Sequence, residues 1–244
     1  MKLYVVGIGP GNWEEMTPRA RKALEASDVI VGYTVYIDLI KALFEDKRIL
    51  TTPMKQEVER CRIAINEALK GQTVSVLGSG DAGVYGLAGV IYEMAESTEL
   101  EIEVIPGITA ACSAAAVLGA PLVHDFCSIS LSDLLTPWEK IEKRLKMAGQ
   151  GDFVICLYNP SSKKRFDYLR KACDLLLEIK GADTPCGYVR YIGRSGQEKT
   201  ICTLSELRER QVDMFTTVII GNSETQILKN NLVTPRGYLK DGTS

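Results

Sequence analysis

The sequence predicts an α/β protein built from two αβα domains. Three observations carry that reading. Short apolar runs alternate with helically spaced patterns along the 244 residues, the connections between them are short, and one turn-like stretch, Gly119 to Asp125, breaks the alternation near the middle. Strand, helix, strand with short connections is the signature of a sheet covered by helices, and it predicts a parallel sheet in the first half. The break sets the expected domains at residues 1–121 and 122–244, each close to the usual size of a domain.

In order along the chain, Leu3–Val6 reads as a buried strand. Pro18–Ser27 reads as a helix, with Thr17 as its cap, Pro18 at the first helical position, and Ala20, Ala23 and Leu24 on one face. Val29–Val31 is a second strand. Glu57–Leu69 has helical spacing through Val58, Cys61, Ile65, Ala68 and Leu69, and Gly71 closes it. Thr73–Leu77 is a strand, Val84–Ala95 a helix, Ile102–Ile105 a strand, and Ala110–Leu118 a helix of small residues. In the second half Phe126–Leu131 alternates as a strand. Thr136-Pro137-Trp138-Glu139 reads as a capping box opening the helix Pro137–Met147. Phe153–Tyr158 and Cys186–Tyr191 are strands on either side of the helix Phe166–Ile179. Thr200–Cys202 is a short strand, Thr203 and Glu206 form a second capping box, and Thr217–Ile220 is the last strand.

Composition narrows the class. Charged residues make up 25%, and the formal net charge of −2 offers no basic face for nucleic acid. No apolar stretch approaches the roughly 20 residues needed to cross a bilayer. Met1 to Gly7 lacks the apolar core of a signal peptide, so a cytoplasmic protein is expected. The seven cysteines are scattered without a C-x-x-C pair and read as buried thiols. His124 is the only histidine, which argues against a protein-bound metal.

Three glycine-bearing segments follow strands. Gly7-Ile8-Gly9-Pro10-Gly11 differs from a dinucleotide fingerprint: its third glycine comes one residue early, Pro10 lacks an N–H, and the helix begins too late. A plain tight turn stays open for it. Gly78-Ser79-Gly80-Asp81-Ala82-Gly83-Val84-Tyr85-Gly86 has four glycines in nine residues, more than helix capping needs, which favours a ligand loop. Asp81 suits either a ligand's hydroxyl or amino group, or the cap of the following helix. In Ile105-Pro106-Gly107-Ile108-Thr109-Ala110-Ala111 the small residues fit close helix–sheet packing, with Thr109 as a cap.

Taken together and in this order, the three segments resemble the tetrapyrrole (corrin/porphyrin) methylase family, over essentially the whole chain. The run His124-Asp125-Phe126-Cys127-Ser128-Ile129-Ser130-Leu131-Ser132-Asp133-Leu134-Leu135-Thr136-Pro137-Trp138-Glu139 looks like the family's precorrin-3B C17-methyltransferase branch. So do Leu157-Tyr158-Asn159-Pro160-Ser161-Ser162, Val212 to Thr217, Gly221-Asn222-Ser223 and Val233 to Tyr238.

The resemblance implies two α/β domains with a cofactor and substrate cleft between them, a homodimer, and methyl transfer from S-adenosylmethionine to a tetrapyrrole with contraction of the ring. It implies that Pro10, Gly80, Asp81, Val84, Thr109 and Ala110 bind the cofactor, with Asn159 and Tyr191 over the adenine. An anionic tetrapyrrole needs cations. Arg190, Arg194 and Arg236 are the candidates, with Lys163–Arg165 reading better as surface charge. Proton transfers during ring contraction point to His124, with Asp125, Ser132 and Asp133 taken to lie on the same edge. Methylation of another ring carbon, with or without cobalt in the substrate, stays open, as does a non-catalytic cofactor-binding scaffold.

Overall fold

The computed structural model describes residues 1–162 and 164–238. The chain divides into two compact units, Met1–Ala110 and Ala111–Ser244. No helix among the described residues is long and apolar enough to cross a membrane.

The strands of the first unit are β1 (Lys2–Gly7), β2 (Val29–Tyr33), β3 (Arg48–Thr52), β4 (Thr73–Gly78) and β5 (Glu101–Ile105). All pair in parallel, in the order β3-β2-β4-β1-β5. Its helices are α1 (Pro18–Glu25), the short α2 (Thr34–Ile37), α3 (Glu57–Leu69) and α4 (Ala88–Ala95). Alternate strand residues feed two cores. Leu3, Val5, Val29, Val31, Val74 and Val76 pack with residues of α3 and α4, while Val6, Ile30, Leu77 and Ile105 pack with α1 and with Ile37, Ile40 and Phe44. A parallel sheet buried on both faces explains the continuous apolar runs of β1, β2 and β4. The Thr17 hydroxyl accepts from the Ala20 N–H at 3.1 Å, and Pro18 opens α1.

The second unit contains α5 (Ala110–Leu118), whose first residue ends the first unit, then β6 (Gly119–Ala120), β7 (Phe126–Ser130), α6 (Trp138–Gln150), β8 (Val154–Tyr158) and α7 (Tyr168–Leu177). It continues with β9 (Pro185–Arg190), β10 (Glu198–Thr203), α8 (Leu204–Arg208), β11 (Thr216–Ile220), β12 (Gln226–Leu228) and β13 (Asn231–Val233). Its main sheet has the order β10-β9-β11-β8-β7, and only β7 and β8 are parallel neighbours. Because β8 and β9 both run antiparallel to β11, the carboxyl ends of β7, β8 and β9 share one edge. One face of this sheet packs on α6, α7 and α8 through Ile141, Leu145, Leu169, Leu176, Leu204 and Leu207.

The two units part at Ala110/Ala111, ahead of the expected break at residue 121. The reason is packing. A Cβ on Gly187 of β9 would come within 2.7 Å of the Leu118 side chain, so α5 lies tightly on the second sheet. The Ala111 N–H also donates to the Tyr158 hydroxyl at 2.9 Å, and β6 pairs in parallel with β13.

Two local expectations change. The capping box at Thr136 is not formed: Pro137, extended at ψ 143°, is the N-cap residue, and α6 starts at Trp138 without a side-chain cap. Trp138 packs against Tyr168 with ring centroids 4.6 Å apart and the planes tilted by 53°, a tertiary contact at that start. The box at Thr203 and Glu206 is present in full. The helix expected from Val84 begins at Ala88 instead, for a reason that lies in the loop before it.

Candidate functional site

In a parallel sheet every carboxyl end lies at one edge, which is where open α/β sheets bind ligands. The three glycine segments meet at that edge of the first unit. Gly9 and Gly80 form a two-way backbone bridge, with N–H to carbonyl distances of 3.0 and 2.7 Å. Asp81 ties the second segment to the third. Its Oδ1 accepts from the Gly83 and Val84 N–H groups at 2.8 and 3.2 Å, and its Oδ2 accepts from the Gly107 N–H at 3.0 Å. Asp81 therefore caps a turn rather than a helix. That turn, with Tyr85 at φ 54°, delays α4.

The glycines here divide by what surrounds them. A Cβ on Gly107 would fall 2.2 Å from the Gly80 oxygen, and one on Gly7 2.6 Å from the same atom, so these glycines permit backbone to touch backbone. A Cβ on Gly78 would meet nothing within 4 Å. The loops are thus locked to one another beneath and open at Gly78. Gly78 and Ser79 are half-buried and Gly83 and Val84 exposed, while Pro10 and Gly80 are buried. Thr109 and Ala110, both half-buried, complete the edge at the start of α5. An open, glycine-lined backbone over a rigid base fits a nucleoside-type cofactor.

The second unit gathers side chains at the shared carboxyl edge of β7, β8 and β9. The Asn159 amide donates to the Ser130 hydroxyl at 3.0 Å. Arg165 donates to Ser132 Oγ at 2.8 Å and pairs with Asp133 at 3.1 Å, and the Tyr168 hydroxyl donates to Asp133 at 2.7 Å. The Tyr168 hydroxyl, and then the Arg165 guanidinium, hold the Asp133 carboxyl below its usual range. Further along, Tyr191 lies 5.4 Å from the Phe215 ring. Arg190 pairs with Asp213 at 2.7 Å, donates to the Tyr191 hydroxyl at 3.1 Å, and sits over the Tyr191 ring. The Arg194 guanidinium stands 6.0 Å from the Phe215 centroid. Asn159 and Tyr191 both have positive φ, 52° and 53°, where their strands turn off.

His124 and Asp125 do not share that edge with Ser132 and Asp133. They precede β7, and the Asp125 carbonyl accepts from the Val154 N–H at the opposite end of the sheet. Five residues of β7 separate the two pairs by about 17 Å. Both His124 and Asp125 are exposed. Arg236 belongs to their end, with its guanidinium donating to the Val123 carbonyl at 3.4 Å. Of the basic run, Arg165 is committed to Ser132 and Asp133, Lys164 is exposed, and Lys163 lies outside the described residues. Sequence reasoning missed the Ser130–Asn159 and Tyr168–Asp133 pairings. They join residues 29 and 35 positions apart, and no local pattern signals them.

Glycine loops at a parallel edge, followed by a second α/β unit with aromatic and cationic strand ends, define a small-molecule-handling α/β protein. Residues 2–208 match the model of the Tetrapyrrole (Corrin/Porphyrin) Methylases, and the chain belongs to that family. It is 50% identical to the probable cobalt-factor III C(17)-methyltransferase of Salmonella typhimurium, covering 97% of this chain and 99% of the relative. It is 46% identical to the cobalt-factor III methyltransferase of Priestia megaterium, covering 99% of this chain and 46% of that longer protein. The crystal structure of the methyltransferase CobJ superposes with a TM-score of 0.89 at 36% identity, covering 96% of this chain and 99% of that one.

Proposed function

We propose that this protein methylates C17 of a cobalt-factor III or precorrin-3 type tetrapyrrole, using S-adenosylmethionine, with contraction of the ring, in cobalamin biosynthesis. The observation that carries the reading is 50% identity to a probable cobalt-factor III C(17)-methyltransferase, over 97% of this chain and 99% of the relative.

The cofactor supplies an electrophilic methyl group and a thioether leaving group, so the protein's task is to orient it. Gly80, Asp81, Val84, Thr109 and Ala110 would hold it along the open backbone, with Pro10 as a buried wall. The Asp81 carboxylate keeps this frame rigid by accepting three N–H groups. In the second unit Asn159 and Tyr191 are the proposed adenine contacts. Arg190, Arg194 and Arg236 are the proposed contacts for substrate carboxylates, and Arg190 also pairs with Asp213 and orients Tyr191. For proton transfer during ring contraction we assign His124, with Asp125 next to it. Ser132, at the far end of β7 and held by Arg165, acts separately on the substrate. Homodimer formation in the cytoplasm belongs to the same reading.

The test is incubation with methyl-labelled S-adenosylmethionine and cobalt-factor III, followed by NMR of the product. Label at C17 is expected. Label at C4, C11 or C20 would reject the assignment, and no turnover with intact cofactor binding would favour a scaffold. Replacing His124 by Ala is expected to slow ring contraction while S-adenosylhomocysteine binding persists.

A further inference from the structure

A buried charge in the first unit has no counterion among the described residues. Arg60, in the first turn of α3, is only 4% exposed, yet it forms no ion pair with any described residue. One terminal nitrogen donates to the Pro53 carbonyl at 3.2 Å, and the guanidinium lies 5.7 Å from the Tyr33 ring. Its Nε is buried without an acceptor. Beside Pro53, the hydroxyl of Thr52, 3% exposed, is also buried without a partner, although the Thr52 carbonyl accepts from the Thr34 hydroxyl at 3.3 Å. A buried donor left unmade costs free energy, and an unpaired buried cation costs more. Two such donors, one on Thr52 and a cationic one on the arginine bonded to the next residue, match one ligand chemistry: a carboxylate.

The place fits as well. Thr52 pairs with Tyr33, and Gly32 with Leu77, so Thr52, Tyr33 and Gly78 lie in one row across β3, β2 and β4. At about 4.8 Å per strand, Thr52 stands about 10 Å from the open backbone of Gly78. The residues bonded to the pair reach the surface: Thr34, which donates to the Thr52 carbonyl, and Pro53, which accepts from Arg60, are both exposed.

We propose that Arg60 and Thr52 form a carboxylate subsite that holds one acidic arm of the tetrapyrrole from the first unit. The identity of that arm's owner rests on the methyltransferase reading; the subsite as an anion receptor does not. The test uses the full chain with Arg60→Gln and Thr52→Val. Cobalt-factor III is titrated by absorbance, S-adenosylhomocysteine by calorimetry, and Tm is followed in acetate against chloride at equal ionic strength. Arg60→Gln is expected to raise the Kd for cobalt-factor III about tenfold or more, and Thr52→Val about threefold, with S-adenosylhomocysteine affinity kept. Because the native charge is unpaired, Arg60→Gln is expected to keep or raise Tm in chloride. Unchanged cobalt-factor III affinity, with a fall in Tm, would overturn the subsite and make Arg60 a structural prop for Pro53. If the wild type binds no cobalt-factor III, the methyltransferase reading fails and the acetate arm decides. Acetate protection of the wild type that Arg60→Gln abolishes upholds the subsite; equal shifts in both overturn it.

Discussion

The two units build the carboxyl edges of their sheets from opposite materials. In the first, glycine backbone packs against glycine backbone, and the one carboxylate in the frame, Asp81, spends its oxygens on N–H groups. In the second, the edge consists of paired side chains: Asn159 with Ser130, Arg165 with Ser132 and Asp133, Arg190 with Asp213 and Tyr191. A backbone frame tolerates no added atom where it is closed and any small one where it is open. A side-chain frame tolerates substitution but responds to pH and charge. Each unit is therefore fragile in a different place.

Four substitutions and one labelling experiment press on that contrast. The largest effect is expected for Gly107→Ala, whose Cβ would stand 2.2 Å from the Gly80 oxygen. A loss of about 3 kcal/mol or more in urea unfolding is expected. A loss below about 1 kcal/mol would mean that the backbone frame is looser than described. Next, Asp81→Ala is expected to weaken S-adenosylhomocysteine binding by about 1–3 kcal/mol through loss of charge-assisted hydrogen bonds, as read by calorimetry.

In the second unit, Asp133→Asn is expected to cost about 1 kcal/mol or less near neutrality, since the Arg165 pair is partly solvated. Its pH signature is more telling. The Asp133 carboxyl is held low in the folded state, first by Tyr168. Its stabilisation is therefore full above the ordinary aspartate value, about 4, and is lost as pH falls through the lower folded value. The variant should show a flatter acid limb in stability measured between about pH 5 and 2; an identical limb would remove Asp133 from the acid response.

Gly78→Ala should change stability by no more than about 0.5 kcal/mol, in contrast to Gly107→Ala, because its Cβ meets open space. Thiol labelling gives the subtlest readout. Burial pushes the thiols of Cys156 and Cys173 up to about 12. Iodoacetamide is expected to label exposed Cys112 first and to leave the five buried cysteines of both units until unfolding, as checked by peptide mass. Early labelling at Cys61 would show that the first unit opens locally.

Where a feature depends on neighbours in sequence, it was legible. Thr17 with Pro18, the extent of α3, and the box at Thr203 and Glu206 all follow from local chemistry. Where a distant partner decides, it was not. Val84 to Leu87 stay out of α4 because Asp81 holds the turn against Gly107. Trp138 opens α6 packed against the ring of Tyr168. His124 and Ser132 are near in sequence but flank β7, and an extended strand carries its two flanks to opposite edges of the sheet. Arg60 lies on a helix, and nothing in its local sequence marks it as buried.

The bond from Asp81 to Gly107 spans 26 residues and links the end of β4 to the end of β5. During synthesis, the turn at Asp81 leaves the ribosome before its fastener does. The edge can take its final shape only after β5 has docked, which makes the Gly107 amide proton a clock for that event. Pulse-labelled hydrogen exchange would see this single amide become protected together with β5, and later than the amides of β1 and β4.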